Sequence, residues 1–151
     1  MTPLPSVDIV IVNYKTADLT CRAVQTAKDR AARDNVPVKI FVVDNGSEDG
    51  SLETIGAAHP DIRLIDAGGN IGFAAGNNRA LREATSPYIL LLNSDAFLEE
   101  HALGDMVTFM EREKNTGMVG PRVLNPDGTD QDYPCRFPTI AEMILRAVAG
   151  P

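Results

Sequence analysis

The chain is poor in cysteine, in net basic charge and in long hydrophobic runs. Its two cysteines, Cys21 and Cys135, lie far apart without a CxxC pair. This excludes a disulfide framework and indicates buried thiols in a reducing compartment. The net charge of −7 disfavours binding to nucleic acid or to anionic lipid, because both are polyanions. A small phosphate-bearing ligand remains compatible, since backbone amides or a cation hold phosphate without a basic surface.

No apolar run reaches the ~18–20 residues that span a bilayer. The N-terminal residues Met1–Val12 lack the basic region and the separate apolar stretch of a signal peptide. We therefore expect a cytoplasmic protein, with peripheral contact at the inner face of the membrane left open. A homo-oligomer is also left open. The phosphate-binding pattern GxxxxGK[ST] is missing, and the glycines of Gly68–Gly72 neither form GxGxxG nor follow the first strand, so a dinucleotide-binding fold is disfavoured.

What the chain does contain is a regular alternation of apolar strands and amphipathic helices. The predicted strands are Val7–Val12, Val38–Val43, Ile62–Ile65, Tyr88–Leu92 and Met118–Val119. The predicted helices are Asp18–Ala32, Ser51–Ala58, Phe73–Ala84, Leu98–Lys114 and, after a turn at Asn125–Thr129, Ile140–Val148. This order predicts an α/β fold with a mostly parallel sheet and helices on both faces. We expect a main domain over residues 1–139, with residues 140–151 beginning another region.

Polar residues stand at the end of each of the first four strands. They are Asn13-Tyr14, Asp44-Asn45, Asn70 within its glycine-rich loop, and Asn93-Ser94-Asp95. Ligands of open α/β sheets bind outside the carboxyl ends of the strands. The four clusters therefore predict one binding site at that edge of the sheet.

Several of these residues have more than one interpretation. Asp95 follows four apolar residues, so we expect it to be partly shielded and to bind a hard cation shared with phosphate, or else to cap the next helix. Asp44 and Asn45 suit a base and ribose, or a turn. Tyr14 suits stacking on a base or packing in the core. Paired Asn77 and Asn78 inside a helix suggest either ligand contact or a solvent face.

Taken in order and spacing, four segments resemble the inverting glycosyltransferases of family 2, especially rhamnosyltransferase-like members. They are Val10–Tyr14, Val42–Gly50, Asn70–Asn78 and Leu91–Asp95, with further likeness over Gly120–Thr129 and Arg136–Thr139. The resemblance implies a GT-A fold that binds a nucleotide-diphosphate sugar, a dTDP- or UDP-sugar, with Mg²⁺ or Mn²⁺. It implies nucleotide-sugar contacts at Asn13, Tyr14, Asp44, Asn45, Asn70, Asn78, Asn93 and Asp95, with Asp95 as the metal ligand.

The sequence departs from the family pattern in two places. Asn93 replaces the first acid of the Asp-x-Asp motif, which leaves Asp95 as the charged ligand. No Glu-Asp pair follows Thr139 to act as a base, where only Glu142 is acidic. We therefore expect a fragment that binds the donor but transfers poorly to its glycan or lipid-linked acceptor. A non-catalytic sugar-nucleotide-binding module is the alternative, and a sugar-phosphate nucleotidyltransferase ranks last.

Overall fold

The computed structural model describes residues 4–131, in which four strands alternate with four helices. The elements are β1 (Val7–Asn13), α1 (Ala17–Asp34), β2 (Val38–Asp44), α2 (Ser51–Ala58), β3 (Arg63–Asp66), α3 (Phe73–Leu81), β4 (Tyr88–Asn93) and α4 (Ala102–Arg112). Two compact units divide between Val119 and Gly120, and all eight elements belong to the first. The domain boundary predicted after residue 139 and the helix predicted at Ile140–Val148 lie outside the described residues.

β1 lies at the centre of a sheet with the strand order β3-β2-β1-β4, in which every neighbouring pair is parallel. All seven of its residues are buried, because strands flank it on both sides and helices cover both faces. The register pairs Asn13 with Asp44 of β2, and Val12 with Asn93 of β4. The polar residues that end these strands therefore lie side by side at one edge.

Alternate residues of β1 enter two separate hydrophobic cores. Ile9 and Ile11 pack in a core that also contains apolar side chains of α1, α2 and α4. Val10 and Val12 pack in a second core with side chains of β2 and with Ala80 of α3. The predicted parallel α/β sheet with helices on both faces is confirmed.

β4 is one of the two edge strands of the sheet, with β3, in the described part of the chain. Leu90 and Leu92 point towards the first core, whereas Ile89 and Leu91 on the other face are 48% and 52% exposed. The short strand predicted at Met118–Val119 is wrong, because both residues lie outside any strand.

α4 begins at Ala102 rather than at the predicted Leu98. The side chain that satisfies its first turn comes from another helix: Asp34 Oδ2, at the end of α1, accepts a hydrogen bond from Gly104 N at 2.8 Å. A Cβ atom added at Gly104 would lie 3.1 Å from the Asp34 side chain. This tertiary cap explains why the local sequence misplaced the start of the helix.

A carboxylate is fully buried at the amino end of the sheet. Asp8 Oδ2 accepts hydrogen bonds from Thr85 N at 2.6 Å and Ser86 N at 3.0 Å, and Asp8 Oδ1 accepts one from Ser86 Oγ at 2.8 Å. Burial by itself raises the pKa of Asp8, but these bonds and the Lys39 ammonium outweigh burial and hold that pKa below its ordinary value. Asp8 thereby fixes the loop that leads into β4.

The second unit contains the predicted turn at Asn125–Thr129, which is confirmed. An isolated antiparallel bridge joins Leu124 to Asp130, and Asn125 N donates to Thr129 O at 2.8 Å. Gly128 has φ 83°, the conformation that glycine adopts most readily. Over residues 4–131, no helix combines the length and the hydropathy that crossing a membrane requires.

Candidate functional site

The ends of β1 and β2 are joined by hydrogen bonds between buried side chains. Asn13 Nδ2 donates to Asp44 Oδ1 at 2.7 Å and to Ser47 Oγ at 3.0 Å. Ser47 Oγ donates to Asp44 Oδ1 at 2.5 Å, and Ser47 N donates to Asp44 Oδ2 at 3.1 Å. Both oxygens of the Asp44 carboxylate therefore accept hydrogen bonds from neighbouring residues.

The same group of hydrogen bonds extends to the start of α1 and the end of β4. Asn13 Oδ1 accepts hydrogen bonds from Thr20 Oγ1 at 2.7 Å and from Thr16 Oγ1 at 3.1 Å. The Thr16 hydroxyl also lies 3.1 Å from Ser94 Oγ. A continuous chain of polar side chains therefore runs from β2 through β1 to the loop after β4. We call these six residues the strand-end network: Asn13, Thr16, Thr20, Asp44, Ser47 and Ser94.

A second set of contacts holds the loop after β3 against the loop after β2. Asn45 Nδ2 donates to Asn70 Oδ1 at 3.1 Å, and Ile71 N donates to Asn45 Oδ1 at 2.9 Å. Gly46 adopts φ 75°, and a Cβ atom there would lie 2.4 Å from the carbonyl carbon of Gly69. Only glycine permits the two loops to approach this closely.

A cavity of about 500 Å³ opens beside these loops. It is lined by Asp44, Gly46, Glu48, Gly50, Ser51, Leu52, Glu53, Asp66, Gly68 and Gly69. Its charged side chains are all acidic, so hydrogen-bond donors of a ligand are favoured there and phosphate groups are not. One of the acids nearby, Asp49, has a pKa below its ordinary value because the Ser51 hydroxyl donates to it.

The candidate metal ligand lies at the end of β4. Asp95 and Asn93 are both exposed, so the expectation that Asp95 is partly shielded is wrong. Within residues 4–131, β4 has a neighbour on one side only, and its last residues are open to solvent. Residues 4–131 contain no group of three or more His, Cys, Asp or Glu side chains suited to a metal. A single exposed carboxylate fits an ion that phosphate oxygens also hold, since Mg²⁺ is commonly bound in this way.

The remaining predicted contacts differ in exposure. Tyr14 is 44% exposed, with Lys15 Nζ 5.4 Å from the centre of its ring. Asn78 is exposed on α3, whereas the neighbouring Asn77 is buried and donates through Nδ2 to Phe73 O at 2.9 Å. Asn77 thus has a structural partner within its own helix, and Asn78 is the side chain available to a ligand.

Three of the four hydroxyl residues in the strand-end network were not predicted as site residues from the sequence: Thr16, Thr20 and Ser47. Thr16 occupies the N-cap position of α1, but its side chain makes no cap hydrogen bond. A signal existed: Thr16 and Thr20 are one helical turn apart and close to Asn13, so both hydroxyls reach it.

An open parallel sheet whose polar strand ends lie beside a cavity is the arrangement in which α/β proteins of this class bind ligands. Within that class, residues 8–148 match the family model for glycosyl transferase family 2. The chain belongs to that family.

Curated relatives carry glycosyltransferase names. The chain is 30% identical over 131 residues to the low-salt glycan biosynthesis hexosyltransferase Agl10 of Haloferax volcanii, covering 84% of this chain and 39% of that protein. It is 25% identical over 126 residues to the N-acetylglucosaminyl-diphospho-decaprenol L-rhamnosyltransferase of Mycobacterium tuberculosis, covering 76% and 41%. The chain therefore spans about two fifths of the length of these relatives.

Solved structures agree on the fold. The mannosyltransferase PcManGT of Pyrobaculum calidifontis, in complex with GDP-Man and Mn²⁺, matches with a TM-score of 0.66 and 25% identity over 83% of this chain and 37% of that chain. TarS of S. aureus, in complex with UDP-GlcNAc, matches with a TM-score of 0.61 and 18% identity over 72% and 32%. The predicted GT-A fold is confirmed.

Proposed function

We propose that this chain forms the donor-binding part of a glycosyltransferase that moves a sugar from a nucleotide diphosphate to a glycan or lipid-linked acceptor. The observation that carries the proposal is the strand-end network, which joins the ends of β1, β2 and β4 beside an acidic cavity of about 500 Å³. Family membership supports the same reaction class.

In this proposal the nucleoside and the diphosphate occupy different parts of the edge. The acidic cavity takes the nucleoside, where Asp44 and Asn45 offer or position hydrogen-bond acceptors for base and ribose. The half-exposed ring of Tyr14 stacks against the base, and Asn70 and Asn78 border the nucleotide. The diphosphate lies towards Asn93 and Asp95, away from the acidic lining that would repel it.

Asp95 would hold a Mg²⁺ or Mn²⁺ ion together with the phosphate oxygens. Such an ion neutralises the charge that develops on the departing diphosphate. Asn93 adds a neutral oxygen, so Asp95 remains the charged protein ligand. The Mn²⁺ in the mannosyltransferase complex supports a cation for this family.

For the donor we propose a dTDP- or UDP-sugar, with rhamnose as the sugar. The mycobacterial rhamnosyltransferase supports this choice, while the GDP-Man complex makes GDP a necessary comparison. The decaprenol in the mycobacterial name supports a lipid-linked acceptor. Such an acceptor agrees with a cytoplasmic protein acting at the inner face of the membrane.

Calorimetric titration with UDP, dTDP and GDP, with and without Mn²⁺, tests the proposal. We expect one of the pyrimidine nucleotides to bind, with Mn²⁺ tightening binding about tenfold, which corresponds to roughly 1.4 kcal/mol. Asp95→Ala should abolish the gain from Mn²⁺ while leaving metal-free binding unchanged. Asp29→Ala, which removes an exposed acid from the middle of α1, is the matched control and should behave as wild type.

Two results contradict the proposal in different ways. If none of the three nucleotides binds, the assignment of the carboxyl edge as a donor site is wrong. If a nucleotide binds but Asp95→Ala keeps the full gain from Mn²⁺, the donor site stands and the metal assignment fails.

A further inference from the structure

We infer that Ser47 is a positioning residue, whose hydroxyl orients the Asp44 carboxylate and the turn at Tyr14–Lys15 for the nucleotide. The inference rests on the proposed function, because it assigns a role within the donor site. In this role Ser47 does not contact the ligand, and it acts through residues that face the ligand.

Ser47 does not itself reach the ligand space. It is 1% exposed, and it is absent from the residues that line the cavity. Its hydroxyl has one donor and two acceptor positions, and the protein uses all three. It donates to Asp44 Oδ1 and accepts from Asn13 Nδ2 and Lys15 N.

The first target of Ser47 is Asp44. Ser47 contacts both carboxylate oxygens, through its hydroxyl at 2.5 Å and its backbone N–H at 3.1 Å. Oδ1 accepts a further bond from Asn13, whereas Oδ2 accepts only the bond from Ser47 N among the described residues. Because Asp44 also lines the cavity, the oxygen with spare acceptor capacity is the one whose orientation Ser47 sets.

The second target of Ser47 is the turn after β1. Lys15 has φ 57°, a left-handed conformation that is uncommon for a residue with a side chain. Lys15 N donates to Ser47 Oγ at 2.9 Å, so the hydroxyl stabilises that conformation. This turn also positions the Tyr14 ring. The ring is 44% exposed, and the Lys15 ammonium lies 5.4 Å from its centre.

Asn13 is itself fully engaged by hydrogen bonds within the strand-end network. Both hydrogens of its amide nitrogen are already donated, to Asp44 Oδ1 and Ser47 Oγ. Its carbonyl accepts from Thr16 and Thr20. One buried hydroxyl therefore orients two groups that face the ligand, one after β1 and one at the end of β2.

The test compares two serines that each donate to a buried carboxylate. Ser47→Ala removes the hydroxyl bound to Asp44, and Ser86→Ala removes the hydroxyl bound to Asp8 at the opposite end of the sheet. With the best-binding nucleotide among UDP, dTDP and GDP, we expect Ser47→Ala to raise Kd about tenfold and Ser86→Ala to leave it within twofold. Ser47→Cys, which keeps the shape with a weaker donor, should raise Kd by less than the tenfold expected of Ser47→Ala, and it replaces that variant if Ser47→Ala does not fold.

Two further measurements distinguish positioning from general stabilisation. The Lys15 amide should exchange with solvent faster in Ser47→Ala than in wild type or Ser86→Ala. In an Asp44→Ala background, Ser47→Ala should raise Kd by a smaller factor, because one of its two targets is gone. Three results would each overturn the inference, provided that the wild-type protein binds a nucleotide. They are a Kd of Ser47→Ala equal to that of wild type, an equal rise in Kd in both serine variants, and effects of Ser47→Ala and Asp44→Ala on the binding free energy that simply add. Absence of wild-type binding would instead overturn the proposed function.

Discussion

The two ends of the sheet each bury a carboxylate, and they use it differently. At the amino end, Asp8 accepts hydrogen bonds from Thr85 and Ser86, which belong to the loop before β4. At the carboxyl end, Asp44 accepts hydrogen bonds from Asn13 and Ser47, and it also borders a cavity. Asp8 does not line that cavity.

Under the proposed function, similar chemistry serves structure at the amino end of the sheet and ligand recognition at the carboxyl end. Two of the three bonds to Asp8 come from backbone N–H groups, so the carboxylate determines the path of a loop. Two of the three bonds to Asp44 come from side chains, so the surrounding residues determine the orientation of the carboxylate. A mutation at the amino end should therefore affect stability, and one at the carboxyl end should affect binding.

The largest expected effect on stability is that of Asp8→Ala. The change leaves two backbone N–H groups and a hydroxyl without their charged acceptor, so we expect a loss of about 3 kcal/mol in the free energy of unfolding. Urea unfolding measures it. Asp8→Asn keeps one acceptor oxygen and should lose clearly less. If nucleotide affinity fell as far in the folded Asp8→Ala protein as in Ser47→Ala, this would contradict the assignment of stability to the amino end and binding to the carboxyl end.

A smaller effect is expected from Gly46→Ala at the carboxyl end. The new Cβ would lie 2.4 Å from Gly69 C and 2.6 Å from Asn70 N, so the loop after β3 must move. We expect a stability loss of about 2 kcal/mol together with a nucleotide Kd raised about tenfold.

Gly128→Ala is the matched control for Gly46→Ala. Gly128 has φ 83°, close to the 75° of Gly46, but a Cβ there meets nothing within 4 Å and the residue does not line the cavity. It should lose about 1 kcal/mol from backbone strain alone and leave Kd unchanged. Equal changes in Kd for the two variants would show that strain, and not the contact between the loops, governs binding.

The smallest expected effect is a pH dependence of stability that belongs to the amino end. The pKa of Asp8 in the folded protein lies below its ordinary value of 3.8. The stabilisation from its charged form is therefore present above that ordinary value and is lost as pH falls through the lower folded-state pKa. Urea unfolding of wild type and Asp8→Asn from about pH 7 to about pH 3 should show their difference shrinking towards acid. A constant difference would contradict this.

The centre of the sheet was predictable because β1 and most of β2 are buried on both faces, and such strands form continuous, mostly apolar runs in the sequence. β1 and β2 extend just one residue beyond their predicted ends, to Asn13 and Asp44. The start of α4 was not predictable, because the side chain that caps it is Asp34, in a different helix. The residues around the start of α4 do not by themselves indicate a contact with Asp34.

The site was predictable in outline and not in its internal connections. Topology alone brings the polar strand ends together, so the proximity of Asn13, Asp44, Asn45 and Asn70 was predictable from sequence. The role of Ser47 depends on contacts with residues more than thirty positions away. The exposure of Asp95 depends on β4 having a neighbour on one side only, which the order of elements along the chain does not specify.

The strand-end network has a consequence for redesign. Its buried members are bonded mainly to one another, whereas Tyr14, Asn78 and Asp95 stand exposed around them. A library that varies these three exposed positions would leave the hydrogen bonds that shape the edge intact. Under the proposed function, the sheet edge thus offers a scaffold on which the preference for one nucleotide over another can be altered while the fold is kept.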